Sequence, residues 1–202
     1  MDRSKRFLTD GSKAFLDHVE NEAQTLRARA GLGPTDRFDP RVLTTESQVL
    51  LVQLDEIVGL SLEDRDLLRS ADPGDWSGVG MPLPDGRTLV ILHPDQTPER
   101  ATATIAEEIC HAYYGHAPSK FEQLRGGIMK RGYDRAAEKE AYWTGAAALL
   151  PAQVVAKAVW CRTAHRLAID YGVSKELVEF RVKILRLWPE YRRGLDIMAS
   201  AG

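Results

Sequence analysis

The stretch Thr104-Ile105-Ala106-Glu107-Glu108-Ile109-Cys110-His111 decides how this chain is read. Its last five residues have the spacing of H-E-x-x-H, in which two histidines one helical turn apart hold a metal and the glutamate activates a water. His111 stands at the second histidine and Glu108 at the glutamate, but Glu107 stands where the first histidine would be. On a helix, positions 107 and 111 project from one face, and position 108 points sideways from the pair. Zinc accepts carboxylate oxygen as well as imidazole nitrogen, so Glu107 can take the histidine's place.

Glu-Glu-x-x-His alone is common on solvated helices; the flanking sequence changes its meaning. Upstream, residues 76–81 and 87–92 are strand-like runs separated by Pro82-Leu83-Pro84-Asp85-Gly86. Asp-Gly between two apolar runs predicts a hairpin. Pro98 or Glu99 then opens a helix running past His111. Downstream, residues 118–133 are polar and irregular, contain Gly126-Gly127, and predict a loop over the site. Residues 136–150 predict an alanine-rich helix closed by Pro151. A third metal ligand would come from this helix, where Glu138 and Glu140 both lie. Two carboxylates with one imidazole make a hard, anionic site, open to manganese or iron as well as zinc.

Farther out, residues 3–30 carry Phe7, Phe15, Val19, Ala23 and Leu26 at helical spacing, stopped by Gly31-Leu32-Gly33-Pro34. Asp39-Pro40 opens a short helix through Leu43. Residues 49–54 suit a buried strand, with a helix as the alternative. Ser61-Leu62-Glu63-Asp64 has a capping-box pattern and predicts a helical turn to about Ser70. Residues 151–168 read as mostly helical, and Ser174 caps a further helix that Pro189 stops.

Composition leaves few other classes open. The chain has 202 residues, 44% apolar and 28% charged, with net charge -2, which gives no global attraction to nucleic acid or to an anionic membrane. Two cysteines without CxxC spacing, Cys110 and Cys161, read as small buried residues of a reduced, cytoplasmic protein. No secretory leader pattern and no run near the roughly 18 apolar residues of a membrane helix is present, so no membrane association is expected.

The altered motif, Glu138-Lys139-Glu140-Ala141 and Leu149-Leu150-Pro151 together resemble the ImmA/IrrE family of bacterial metallopeptidases, with its E-x-x-A and L-L-x-P patterns. Gly31-Leu32, Phe38-Asp39-Pro40 and Leu92-His93-Pro94 extend the likeness, and Gly115-His116 is similar to a branch with E-E-x-x-H. The resemblance implies an α+β fold: a mainly helical, minimal zincin-like metallopeptidase with a small twisted β-sheet and C-terminal helices. It implies one domain over residues 1–202, with N-terminal helices (1–48), a zincin-like core (49–151) and C-terminal helices (152–202). It also implies Glu108 as general base and Glu107, His111 and Glu138 as ligands of Zn2+, with Glu140 as the rival to Glu138.

The implied activity is endopeptidase action on a specific protein such as a helix-turn-helix repressor, controlling mobile-element or stress-response genes. Because Glu107 breaks the usual pattern, the alternative is a catalytically impaired member that binds a regulator. A third reading comes from residues 164–181, which resemble a helix-turn-helix and lie near Arg181, Lys183, Arg186, Arg192 and Arg193. Glu176 and Glu179 on the second helix argue for packing rather than DNA contact. Of the other histidines, His18 and His165 read as surface or boundary residues and His93 as a turn residue. His116, about 140° around from His111, approaches it only if the helix ends between them. Tyr113 and Tyr114 are candidate pocket residues, Tyr133 a candidate oxyanion donor, and Trp143 and Trp160 core.

Overall fold

Phe15, Val19, Ala23 and Leu26 recur at the helical period, and all four lie buried along one face of helix α1 (Lys13–Arg29). Ser12 caps the helix, its Oγ accepting from the Phe15 N–H at 3.2 Å. The computed structural model describes residues 12–70, 76–116, 121–123, 129–131 and 134–200. The expected start of this helix, with Phe7, lies outside those residues, as do Pro118, Gly126, Gly127 and Tyr133. Asp39-Pro40 opens a 3-10 turn (Pro40–Leu43), Asp39 accepting from the Arg41 N–H.

The apolar run after residue 48 is a strand, β1 (Val49–Val52), followed by a 3-10 turn (Leu54–Glu56). Ser61 accepts from the Asp64 N–H and starts α2 (Leu62–Ser70), which buries none of its residues. The Asp-Gly hairpin joins β2 (Gly78–Pro82) to β3 (Thr88–Leu92), with Gly86 at φ +88° where only glycine is unstrained. The sheet order is β1-β3-β2: β1 runs parallel to β3 and β2 antiparallel to it. Central β3 buries Val90 and Ile91, and β2 is an edge.

The expected helix through His111 is α3 (Pro98–Tyr114), with Thr97 as N-cap and Pro98 in the first turn. Its Ala101, Ile105, Ala106, Ile109 and Cys110 face the core. Within the segment expected to be a loop, residues 118–133, β4 (Phe121–Gln123) and β5 (Met129–Arg131) pair antiparallel instead. Strand preference depends on context as well as residue type, so polarity alone misread this segment.

Helix α4 (Arg135–Leu149), capped by Asp134, packs against both α1 and α3. Ala141, Ala146, Ala147 and Ala148 are buried, and these small side chains allow close approach. Gly145 marks a close approach to α3, where a Cβ would lie 3.2 Å from Ala106 C and Glu107 N. The helix ends inside the protein, so its last carbonyls need donors. Buried Arg27 donates to Ala148 O at 2.6 Å, and buried Arg181 donates to Leu150 O at 2.9 Å. Glu20 pairs with Arg181 and accepts from the Ala152 N–H at 3.2 Å. The Leu149-Leu150-Pro151 break is thus clamped by side chains from α1 and by Arg181.

The region expected to be mostly helical up to residue 168 splits into α5 (Ala152–Ala158) and α6 (Ala164–Tyr171), because Thr163 caps a new helix with a bond from the Arg166 N–H. Ser174 caps α7 (Lys175–Ile184) as expected. Pro189 does not stop the chain's helices but sits in the first turn of α8 (Trp188–Ser200), where its missing N–H costs nothing. The α6–α7 pair has the helix-turn-helix outline, turning at Gly172 (φ +65°), yet α7 buries Leu177, Val178, Arg181 and Val182 in the core. Its outward side carries a Lys175–Glu179 pair. Cys110 is buried as expected, but Cys161 is exposed, and Trp160 is 45% exposed rather than core. The described residues form an α+β, mainly helical fold with a small mixed sheet.

Candidate metal centre

Glu107 and His111 lie one turn apart on α3, and Glu138 enters from the first turn of α4. Gly145 brings these helices together. It lies two turns beyond Glu138 on the same α4 stripe as Ala141, and it meets α3 at the backbone of Glu107. One ligand atom from each of Glu107, His111 and Glu138 lies within 4.8 Å of the others, and all three residues are half-buried. His111 Nε2 stands 3.6 Å from Glu138 Oε2. Donor atoms around a tetrahedral zinc, each about 2.0–2.2 Å from it, stand about 3.3–3.6 Å apart; the His111–Glu138 pair stands at the upper end of that range, and the three residues are a group that could hold a metal ion.

Burial, the largest single influence on His111, opposes its charge. The hydrogen bond to Glu138 and the charges of Glu108, Glu138 and Glu107 outweigh that, and hold its pKa above the ordinary 6.5. The same negative charges favour a cation at this point.

Glu108 leaves the helix to the side, as its position in the turn requires, and reaches edge strand β2. A methyl group on Gly80 would overlap Glu108 Oε2 and come within 3.1 Å of its Cδ. The absence of a side chain at Gly80 is therefore what admits the carboxylate. Sequence reasoning missed Gly80; its signal was a glycine in the middle of a strand facing the motif helix.

Glu140 is excluded from the cluster by its direction. Two residues on from Glu138, it points about 200° around the helix, so the two carboxylates face different neighbours. Glu140 Oε1 is 3.0 Å from His18 Nε2, and Oε2 is 3.1 Å from His116 Nε2. The hydrogen bond from His116 is the main reason its pKa lies below the ordinary value; burial opposes this, and His18 adds to it.

His18 is a boundary residue, as expected, and it also holds Glu140 across from α1. His116 returns to His111 because α3 ends in a Schellman motif. Gly115 adopts φ +62°, its N–H bonds Ala112 O at 3.1 Å, and the His116 N–H bonds His111 O at 3.0 Å. That turn sets His116 Nδ1 3.1 Å from His111 Nδ1. The sequence signal was the Gly-His pair that follows the helix.

The other candidates have separate work. Tyr114 stacks on His116 (centroids 5.2 Å, 22°) and bonds Thr144 Oγ1 at 2.8 Å; burial raises its pKa. Tyr113 donates to Glu22 at 2.5 Å. His93 is buried, accepts from the Asp95 N–H and packs on Trp76, and His165 is exposed as expected. Burial pushes the Cys110 thiol far up, which removes it as a nucleophile.

Fold and cluster together define a zincin-like protein: a motif helix under a small sheet, with a second helix supplying a facing glutamate. Residues 67–183 match the IrrE N-terminal-like domain (Peptidase M78), and the chain belongs to that family. The match takes in Glu107, Glu108, His111 and Glu138 and leaves out His18. Comparison with curated proteins gave no match. Among the described residues, no helix is long and apolar enough to cross a membrane.

Proposed function

We propose that this chain is a metal-dependent endopeptidase in which Glu107, His111 and Glu138 hold the ion and Glu108 is the general base. The convergence of the three donor groups, all within 4.8 Å, carries this reading. A divalent ion held there would polarise a peptide carbonyl and acidify a water. Glu108, seated over Gly80 beside the cluster, is positioned to take the proton from the attacking water and pass it to the leaving amine. Among the described residues β2 is an edge of the sheet, the kind of strand with which an extended polypeptide can pair, and Gly80 on it lies beside Glu108.

With two carboxylates and one imidazole, zinc is the first candidate and manganese or iron the alternatives. The second carboxylate neutralises more of the ion's charge than a histidine would, which weakens water activation near neutral pH. The family's substrates are proteins, and its resemblance makes a helix-turn-helix repressor in the cytoplasm the candidate, with one domain spanning the chain. Glu107 also favours the second reading, a non-catalytic regulator that keeps the fold.

The test is digestion of a proteome-derived peptide library and of repressor candidates by the zinc- or manganese-loaded protein, read by mass spectrometry. Cleavage that drops at least about 100-fold in Glu108→Gln, with metal content unchanged, supports the endopeptidase. No cleavage with either metal refutes it and leaves the regulator.

A further inference from the structure

Beyond the cluster, a continuous line of polar contacts runs from His111 through His116 and Glu140 to His18, joining the end of α3, α4 and α1. Its hydrogen bonds can be counted. A carboxylate only accepts, so the hydrogen between Glu140 Oε2 and His116 Nε2 belongs to His116. A neutral imidazole has one N–H, so His116 Nδ1 is then an acceptor. With His116 neutral, the hydrogen between the two Nδ1 atoms, 3.1 Å apart, is given by His111. With its Nδ1 hydrogen given to His116, His111 keeps Nε2, the atom facing Glu138, as the nitrogen at which a divalent cation would replace the proton shared with that carboxylate.

We propose that Glu140 and His116 are positioning residues that fix the ring orientation and tautomer of His111, so that Nε2 is offered to a divalent cation. The inference rests on the metal-site reading above and names what prepares that site. The rest of the line serves the same end. His18 engages the second Glu140 oxygen and so fixes the carboxylate on both sides. Tyr114 stacks on the His116 ring, and the Schellman turn fixes its backbone to His111. His116 is only 11% exposed, so water competes poorly for its Nδ1. Partners of this kind hold a metal-binding histidine's ring and tautomer in place, and losing one costs about 10–100-fold in metal affinity.

The experiment uses the full chain with 15N-labelled histidine. Long-range 1H–15N spectra of the metal-free protein read which nitrogen of His116 carries hydrogen. Zn2+ affinity is measured by competition with a chromogenic chelator for wild type, His116→Phe and Glu140→Ala, with thermal melts of the metal-free proteins as the folding control. His116 protonated on Nε2 and bare on Nδ1, with Zn2+ binding about 10–100-fold weaker in both variants, is the expected result. His116 carrying its hydrogen on Nδ1, or folded variants that bind Zn2+ like wild type, would overturn the proposal. If wild type takes no Zn2+, the metal-site reading fails, and the His116 spectrum still decides the hydrogen-bond direction. If the variants do not fold, the wild-type spectrum alone decides it.

Discussion

Gly145→Ala tests whether the contact between α3 and α4 builds the metal centre. The new Cβ would stand 3.2 Å from Ala106 C and Glu107 N and 3.3 Å from Ala106 O. Ordinary contact begins at 3.4 Å, so the helices must separate by 3.4 − 3.2, or 0.2 Å, against backbone that cannot rotate away. Replacing a mid-helix glycine by alanine favours the helix by about 0.8–1.0 kcal/mol. Overpacking a tight contact costs about 1–3 kcal/mol. The balance runs from near zero to a loss of about 2 kcal/mol in the metal-free protein, measured by urea unfolding. Because the strain falls on Glu107 itself, affinity for Zn2+ should drop on the order of tenfold even where stability changes little. A variant stabilised by about 1 kcal/mol with unchanged metal affinity would show that Gly145 sets no spacing at the site.

Three other changes separate the parts of the account. Gly80→Ala displaces a flexible carboxylate by on the order of 1 Å, so peptide cleavage should fall about 100-fold while folding and metal content stay as in wild type; unchanged cleavage would remove Glu108 as the base. Glu20→Ala leaves fully buried Arg181 without its carboxylate and should cost about 3–5 kcal/mol in chemical denaturation, more than Arg181→Met, which removes the charge itself; the reverse order would contradict the clamp at Leu150. The Glu140 carboxyl titrates below its ordinary 4.5 when folded, so its contribution is present in full above that value and is lost as pH falls through the depressed one. The stability advantage of wild type over Glu140→Gln should therefore shrink on acidification from about pH 6 to about pH 3; an advantage that grows with acid would give the opposite sign.

Local signals announced much of the fold. Asp85-Gly86 marked the hairpin, Ser174 the start of α7, and the alanine run α4. The placement of Glu107, His111 and Glu138 was legible because helical spacing sets two of them and the helix after the motif supplies the third. What the sequence concealed depends on how helices end and meet. Glu138 and Glu140 were hard to separate until the Glu138-Ala141-Gly145 stripe was seen against α3. His116 looked remote because a continuous helix would carry it away, whereas Gly115 in the left-handed region reverses the chain at that point. Pro189 read as a stop because a proline that ends one helix and a proline that begins the next look alike without their neighbours. The clamp that Glu20, Arg27 and Arg181 form on the end of α4 left no local pattern, since its contacts join residues far apart in the chain.

The central claim is that Glu107, His111 and Glu138 hold one divalent ion. Crystals of the full chain grown with Zn2+, with diffraction recorded on both sides of the zinc absorption edge, test it most directly. One anomalous peak about 2.0–2.2 Å from a Glu107 oxygen, His111 Nε2 and a Glu138 oxygen, absent in His111→Ala, is the predicted result. No peak there, or zinc held by Glu140 and His116 instead, would contradict it.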